Sequence, residues 1–466
     1  MSRSIFLHRA AFAAALLVAL SPLLVPTAGT ARPVLLISLD GLRPGDVTDA
    51  TTRGLKVPNL RRFLVEGAYA EGVTGILPTV TYPSHTTLIT GAWPARHGIV
   101  NNQTFDPTQI NRDGWDYYSS DIRVPTLWDA THAAHLSTGN VHWPVSVGTP
   151  SIDWNLPQIW VTGHADDAKL LAALATPRLL QELQASEGPY AAGIDDSIDG
   201  DELRARFAMR LITLHHPDFL TVYLTGLDTT QHHFGPDTPQ AHAVLERLDA
   251  AVGKLIVAER AAHPDAAIAV VSDHGFAPVT KSLNLWRAFV DAGLVQGEDK
   301  GPGYGGWKIT GWDAAPWPSG GSIAVVLAHP ENAALRGKVA DLLARLAADP
   351  ANGIAKIIDH DEIVIRGGNP EAQFYINLCD GWMALPWLGP KLPLVINPAP
   401  YKGMHGYFPE DARMRSTFLL MGPGVPKGDD LGVIDMRTIA PTLAEILGIT
   451  LSGAELPALP LVAPPR

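Results

Sequence analysis

The chain has 466 residues, 46% of them apolar and 18% charged, with a formal net charge of −12. There is ample material for a large core, too little charge for a disordered chain, and no global basic field of the kind that wraps nucleic acid. One cysteine, Cys379, excludes an intrachain disulfide; in FYINLCDGW it reads as a packed small hydrophobe.

Arg3 and Arg9 precede the run AAFAAALLVALSPLLV, and PTAGTA follows it. A basic start, an apolar run too short to span comfortably and a small-residue exit predict a cleaved export signal over residues 1–31. Its removal takes two arginines away and leaves a charge of about −14. No later stretch is long and apolar enough for a membrane helix. The expectation is an exported protein, periplasmic or secreted, without a stable membrane span.

Three short β-branched apolar runs end on carboxylates. PVLLISLDG ends at Asp40, DFLTVYLTGLD at Asp228, and AIAVVSDHG at Asp273 and His274. Continuous apolar runs suit strands buried on both faces of a parallel sheet. Helical patterns lie between them, as in DELRARFAMRLITLHH and AHAVLERLDAAVGKLIVAERAAHP. The alternation predicts an α/β fold with a doubly wound, mostly parallel sheet. Strand C-termini then gather at one edge, where ligands bind. Each Asp alone would serve equally well as a turn residue or helix cap; three together, with histidines attached, point to metal.

His232 follows Asp228 by four residues, one helical turn, so both side chains share a face. His233 points about 100° away and reads as a support behind the ligands or as structural. His405 sits between glycines in YKGMHGYFPED and can be presented from a loop. Three Asp and three His divide into two sites of three ligands, each leaving an open position; Zn, Mn and Fe all accept these donors. His85 and His97 read as packing histidines. The segment GILPTVTYPSHTTLITGAWPARHGIVNN holds five threonines and leads into a predicted helix at SHTTLITG. A hydroxyl at a helix start beside a metal can act as a nucleophile, but composition does not say which threonine.

Residues 281–400 break the pattern: SLNLWRAFVDAGLV, SIAVVLAHPENAALRGKVADLLARLAADP and IIDHDEIVIRGG read as helix, strand plus helix, and strand. They predict a smaller α+β insert in a core of residues 32–280 and 401–466. GPGYGGWKITGWDAAPWPSGG reads as a loop.

Five blocks carry a resemblance: LLISLDGLRPG, PTVTYPSHTTLITGAWPARHGIVNN, YLTGLDTTQHHFGP, VVSDHGF and MHGYFP, in this order. The chain resembles the nucleotide pyrophosphatase/phosphodiesterases of the alkaline phosphatase superfamily. IDMRTIAPTLAEILGI is similar to their closing helix. The resemblance implies an alkaline-phosphatase-like fold, two divalent metal ions, most readily Zn, and Thr81 as nucleophile. Asp228, His232 and His405 would hold one metal; Asp40, Asp273 and His274 would hold the other, which also binds the Thr81 oxygen. Asn102 and the Thr81 backbone N–H would donate to a phosphoryl oxygen. The chain departs from the family in having Tyr82-Pro83-Ser84 where Phe-Pro-Asn is common, and Gln231 where Gly is usual.

The implied chemistry is in-line displacement at phosphorus through a phosphothreonine. The substrate class is a phosphate diester or nucleotide. Related monoesterases add Lys or Arg after the nucleophile helix, whereas residues 124–168 contain neither; a wall without cationic side chains fits a diester with an organic substituent. Tyr82 is positioned in sequence to stack on a base. The competing readings are a phosphomonoesterase with the same metals, a sulfatase, which lacks its Cys or Ser context here, and a silent metal- or nucleotide-binding protein.

Overall fold

The computed structural model describes residues 31–111, 114–159, 163–190, 194–301 and 306–461. The expected export segment, up to residue 30, lies outside them. The apolar run after Pro33 becomes β1 (Val34–Leu39), buried at all six positions. Alternation sends Leu35, Ile37 and Leu39 to one face and Val34 and Leu36 to the other. Each such side chain removed from water stabilises the fold by about 2 kcal/mol.

β1 lies inside an eight-stranded sheet. The other strands, in chain order, are β2 (Ala68–Tyr69), β3 (Thr138–Val141), β4 (Trp154–Leu156), β5 (Phe219–Leu224), β6 (Ala267–Val271), β7 (Phe418–Met421) and β8 (Asp429–Asp430). The spatial order is β8-β2-β7-β6-β1-β5-β3-β4. β1 runs parallel to β5 and β6, with Leu39 opposite Leu224 and Ser38 opposite Val271. Only β7 is antiparallel to its neighbours. Because β5, β1 and β6 are adjacent and in step, the residues that follow them emerge side by side.

Helices cover both faces. α3 (Ile198–His215) and α5 (Pro239–Ala262) bury Leu203, Phe207, Leu248 and Val252 against one. α6 (Ile439–Leu447) buries Leu443 and Leu447 against the other. α1 (Pro58–Glu66) and α2 (Thr81–Thr90) precede α3 in the chain, and α4 (Gly226–Phe234) lies between α3 and α5. α5 starts as its sequence dictates: the Thr238 hydroxyl accepts the Ala241 N–H, and Pro239 takes the first turn.

From Ala277 to Met404 the chain builds smaller sheets, mostly antiparallel, with Gly381–Ala384 running parallel to Ala277–Leu283. One runs Ala314–Ser319, Ser322–Leu327, Ala372–Leu378, Ile354–Asp359 in space. Another centres on Ala277–Leu283, whose start pairs with Gly403–Met404. They share a core of Leu283, Trp286, Phe289, Val325, Leu343 and Ile376, with Cys379 packed at its edge. The boundary expected at 280/281 falls within the strand Ala277–Leu283. The stretch read as a loop is corrected: Trp307–Trp312 and Ala314–Ser319 are strands. Pro316 and Pro318 occupy an edge strand, where a missing N–H costs no ladder bond. Among the described residues, no helix is long and apolar enough to cross a membrane.

Candidate active site

Asp40 directly follows β1, and Asp273 and His274 follow β6 after one residue. Asp228 differs from the expectation: it is not at a strand end but in the first turn of α4, with His232 one turn later. His405 enters from the other side, directly after the Gly403–Met404 strand.

The side chains converge. Asp40, Asp273 and His274 place one ligand atom each within 4.8 Å of one another, and so do Asp228, His274 and His405. His274 Nε2 is 3.1 Å from Asp273 Oδ2 and 3.4 Å from Asp40 Oδ1. The expected second trio was Asp228, His232 and His405. His232 lies beside that group, its Nε2 3.3 Å from Asp228 Oδ2, while His274 completes the tighter set. The His274 and His405 rings stack face to face at 3.6 Å.

Second contacts orient the donors. His232, His274 and His405 donate Nδ1–H to the carbonyls of Gly403, Gly275 and Thr79 at 3.0, 3.1 and 3.1 Å. That fixes the tautomer and leaves each Nε2 toward the cluster. Three carboxylate oxygens, Asp40 Oδ1, Asp228 Oδ1 and Asp273 Oδ2, are buried without a hydrogen bond. Buried anionic oxygens left unpaired are costly; a set of them facing three imidazole nitrogens fits divalent cations.

The electrostatics agree. Burial, then Asp273 and Asp228, pushes Asp40 well above the usual carboxylate range. Burial also raises Asp228. His405 is held well below the usual imidazole value by burial, then by His274 and His232. Burial opposes the charged forms of Asp273 and His274, but their mutual attraction outweighs it: Asp273 goes down and His274 up.

Thr81 is the first residue of α2, and its Oγ1 is 3.4 Å from His274 Nε2. Every residue of α2 is buried. Asn102 Oδ1 accepts the Tyr82 N–H at 2.8 Å, and Asn101 Oδ1 accepts the Asn102 N–H at 2.8 Å. With its carbonyl so engaged, Asn102 keeps its amide Nδ2 as the side chain's donor. Tyr82 is corrected: it is 1% exposed, edge-on to Trp115 at 5.1 Å and packed with Ile99 and Val145, so no ring face is open to a base.

His85 and His97 are packing groups. His85 donates Nδ1–H to the Thr81 carbonyl at 2.8 Å and accepts from Ser38 Oγ at 2.9 Å; burial holds its pKa down at about 4. His97 bonds Thr87 Oγ1 at 3.1 Å. Tyr223, which the sequence did not single out, donates to Asp40 Oδ2. It lies mid-strand in a run that reads only as apolar. Trp143, from the segment without Lys or Arg, is wholly buried behind His85 at 4.8 Å and lines no open surface.

The family profile described as Type I phosphodiesterase / nucleotide pyrophosphatase matches residues 34–385. The chain belongs to this family. Among its phosphodiesterase relatives, an uncharacterized pyrophosphatase/phosphodiesterase of Schizosaccharomyces pombe is 27% identical over 54% of this chain and 46% of its own length. Venom phosphodiesterase 2 of Crotalus adamanteus is 24% identical over 53% of this chain and 27% of its own. Ectonucleotide pyrophosphatase/phosphodiesterase family member 1 of Homo sapiens is 26% identical over 52% and 23%. The chain thus matches under half the length of these relatives. The solved structure of human ectonucleotide pyrophosphatase/phosphodiesterase 5 superposes with a TM-score of 0.62 at 21% identity, covering 92% of this chain and 96% of that one. An inactive threonine-to-alanine variant of the murine counterpart, in complex with AMP, covers 92% and 97% at TM-score 0.62 and 20% identity. The phosphodiesterase fold is therefore that of these alkaline-phosphatase-like neighbours.

Proposed function

We propose that this phosphodiesterase-family chain is an exported hydrolase of phosphate diesters or nucleotide pyrophosphates that acts through a phosphothreonine at Thr81. The reading is carried by one observation: a helix-initial threonine lies beside three buried, unpaired carboxylate oxygens and three imidazole nitrogens aimed at them. Asp40, Asp273 and His274 would hold one divalent ion, and Asp228, His232 and His405 the other, with Zn the favoured metal. Such ions supply charge neutralisation and Lewis acidity at phosphorus.

The chain's own groups divide the remaining work. Thr81 Oγ1 forms the bond to phosphorus as one ester oxygen leaves, its hydroxyl proton ending on that leaving alcohol; water later breaks the Thr81 O–P bond, releasing the phosphate monoester and restoring the hydroxyl. Asn102 Nδ2 and the Thr81 N–H, at the positive end of α2, bind a non-bridging oxygen. Phosphodiesterase activity in named relatives, and an AMP-bound neighbour inactivated at a threonine, support the class. The absence of Lys and Arg from residues 124–168 supports a diester over a monoester. We place the export signal at residues 1–31 and the insert at 281–400.

The test is kcat/KM for bis-p-nitrophenyl phosphate against p-nitrophenyl phosphate on the Zn-loaded protein, with Thr81→Ala alongside. The expected result is a strong diester preference, loss of turnover in the variant with metal still bound, and phosphate trapped on Thr81 in acid-quenched wild type. A strong monoester preference would favour a phosphomonoesterase; no turnover of any ester would overturn the reading.

A further inference from the structure

Gln231 lies on α4 between the two candidate ligands Asp228 and His232, yet it is 1% exposed and turned inward. A buried primary amide costs stability unless its donors are used. Its Nε2 donates to the Gly41 carbonyl at 3.0 Å. Gly41 follows Asp40 directly, and its N–H donates to Asp273 Oδ1 at 3.2 Å. One residue is therefore gripped from both halves of the site. The amide of α4 holds its carbonyl, and the Asp273 carboxylate holds its N–H.

The fit leaves no slack. Gly41 has φ +69°, and a Cβ there would stand 2.9 Å from Gln231 Nε2 and 3.0 Å from the Phe276 ring. Phe276 also packs edge-on to His232 at 4.9 Å. Because Gly41 occupies Asp273 Oδ1, the free oxygen of that carboxylate is Oδ2, the one facing His274.

We propose that Gln231 is a positioning residue that sets the spacing between the Asp40/Asp273 and Asp228/His232 halves through the Gly41 peptide. The proposal rests on the two-metal reading above. Without the amide, α4 keeps its helix and its caps but loses its direct tie to the Asp40 turn. The second ion would then bind less tightly, and turnover would fall more than substrate binding.

The test uses Gln231→Met, which keeps the volume and removes the donor, and Gln231→Ala, which removes both without overpacking. Chelator-stripped full-length protein is titrated with Zn by calorimetry, and the Co(II)-loaded visible spectrum is recorded. The expected result for Gln231→Met is an unchanged apo melting temperature, one site titrating as in wild type, the second weakened by about 10–100-fold, and a changed Co(II) spectrum. kcat should drop with KM within about twofold, a split that a general loss of fold would not produce. If Gln231→Met does not fold, Gln231→Ala carries the same comparison. Two wild-type-like Zn sites and a wild-type kcat in the folded variant would overturn the proposal. Wild type failing to take two Zn ions would instead overturn the two-metal reading.

Discussion

The two halves of the site are built differently. Asp40, Asp273 and His274 hang from strand ends in the middle of the large sheet, with side chains 4%, 0% and 0% exposed. Asp228, His232 and His405 come from a helix and a loop, at 16%, 18% and 8%. The inner half sits beside Thr81 and has no route to rearrange without disturbing the core. The outer half is more open to solvent, and it depends on braces: Gln231 to Gly41, His232 to Gly403, and Asp201 at the start of α4. A half fixed by the core and a half held by braces is the division this teaches.

The sharpest way to break the comparison is to remove one ligand from each half. Asp273→Ala should lower kcat/KM by about 10⁴-fold or more and Asp228→Ala by about 10²–10³-fold, since only the first also strands the partners of Thr81. Equal losses, by steady-state assay at saturating Zn, would erase the distinction.

Next comes the brace. Both Asp201 oxygens accept N–H groups at the start of α4, from Thr225 and Gly226 at 2.8 Å each, and Asp201 pairs with wholly buried Arg204 at 3.1 Å. Asp201→Ala should destabilise the protein by about 3–5 kcal/mol, because it takes the carboxylate out of a buried ion pair and strips the Thr225 and Gly226 N–H groups of their acceptor. Urea denaturation checks this.

A smaller effect concerns pH. Burial, then Asp121, raises Asp116 to about 7. A carboxyl whose folded pKa lies above its unfolded value binds its proton more tightly in the folded state. Its contribution is therefore present below the unfolded pKa and is lost as pH rises through about 7. Asp116→Asn should accordingly gain about 2 kcal/mol relative to wild type between pH 5 and pH 8, read from denaturation at both values. The smallest effect is the control: Arg62→Ala breaks an exposed pair with Glu66, 48% and 47% exposed, and should change stability by less than about 0.5 kcal/mol.

The fold and the candidate ligands were legible because each signal is local. An apolar run that stops at an Asp announces both a buried strand and its exit, and Asp228 with His232 shares one helical turn. What was not legible depends on partners far along the chain. Tyr82 stands next to Thr81 in sequence, but Trp115, Ile99 and Val145 decide that it is buried. Tyr223 meets Asp40 only because β5 lies in register with β1. Asp201 and Gln231 hold backbone groups, which leave no trace in residue identity. The tryptophans and prolines of 307–319 resembled a loop because strand propensity is settled by which edge a residue occupies.

α2 has one more consequence. All ten of its residues are buried, from Thr81 to Thr90. Such a segment has no partial opening available, so its amides should exchange with deuterium only when the whole domain unfolds. The Thr81 hydroxyl would then sit in the slowest-exchanging part of the molecule, and any closing around it would have to come from the Asp228, His232 and His405 side.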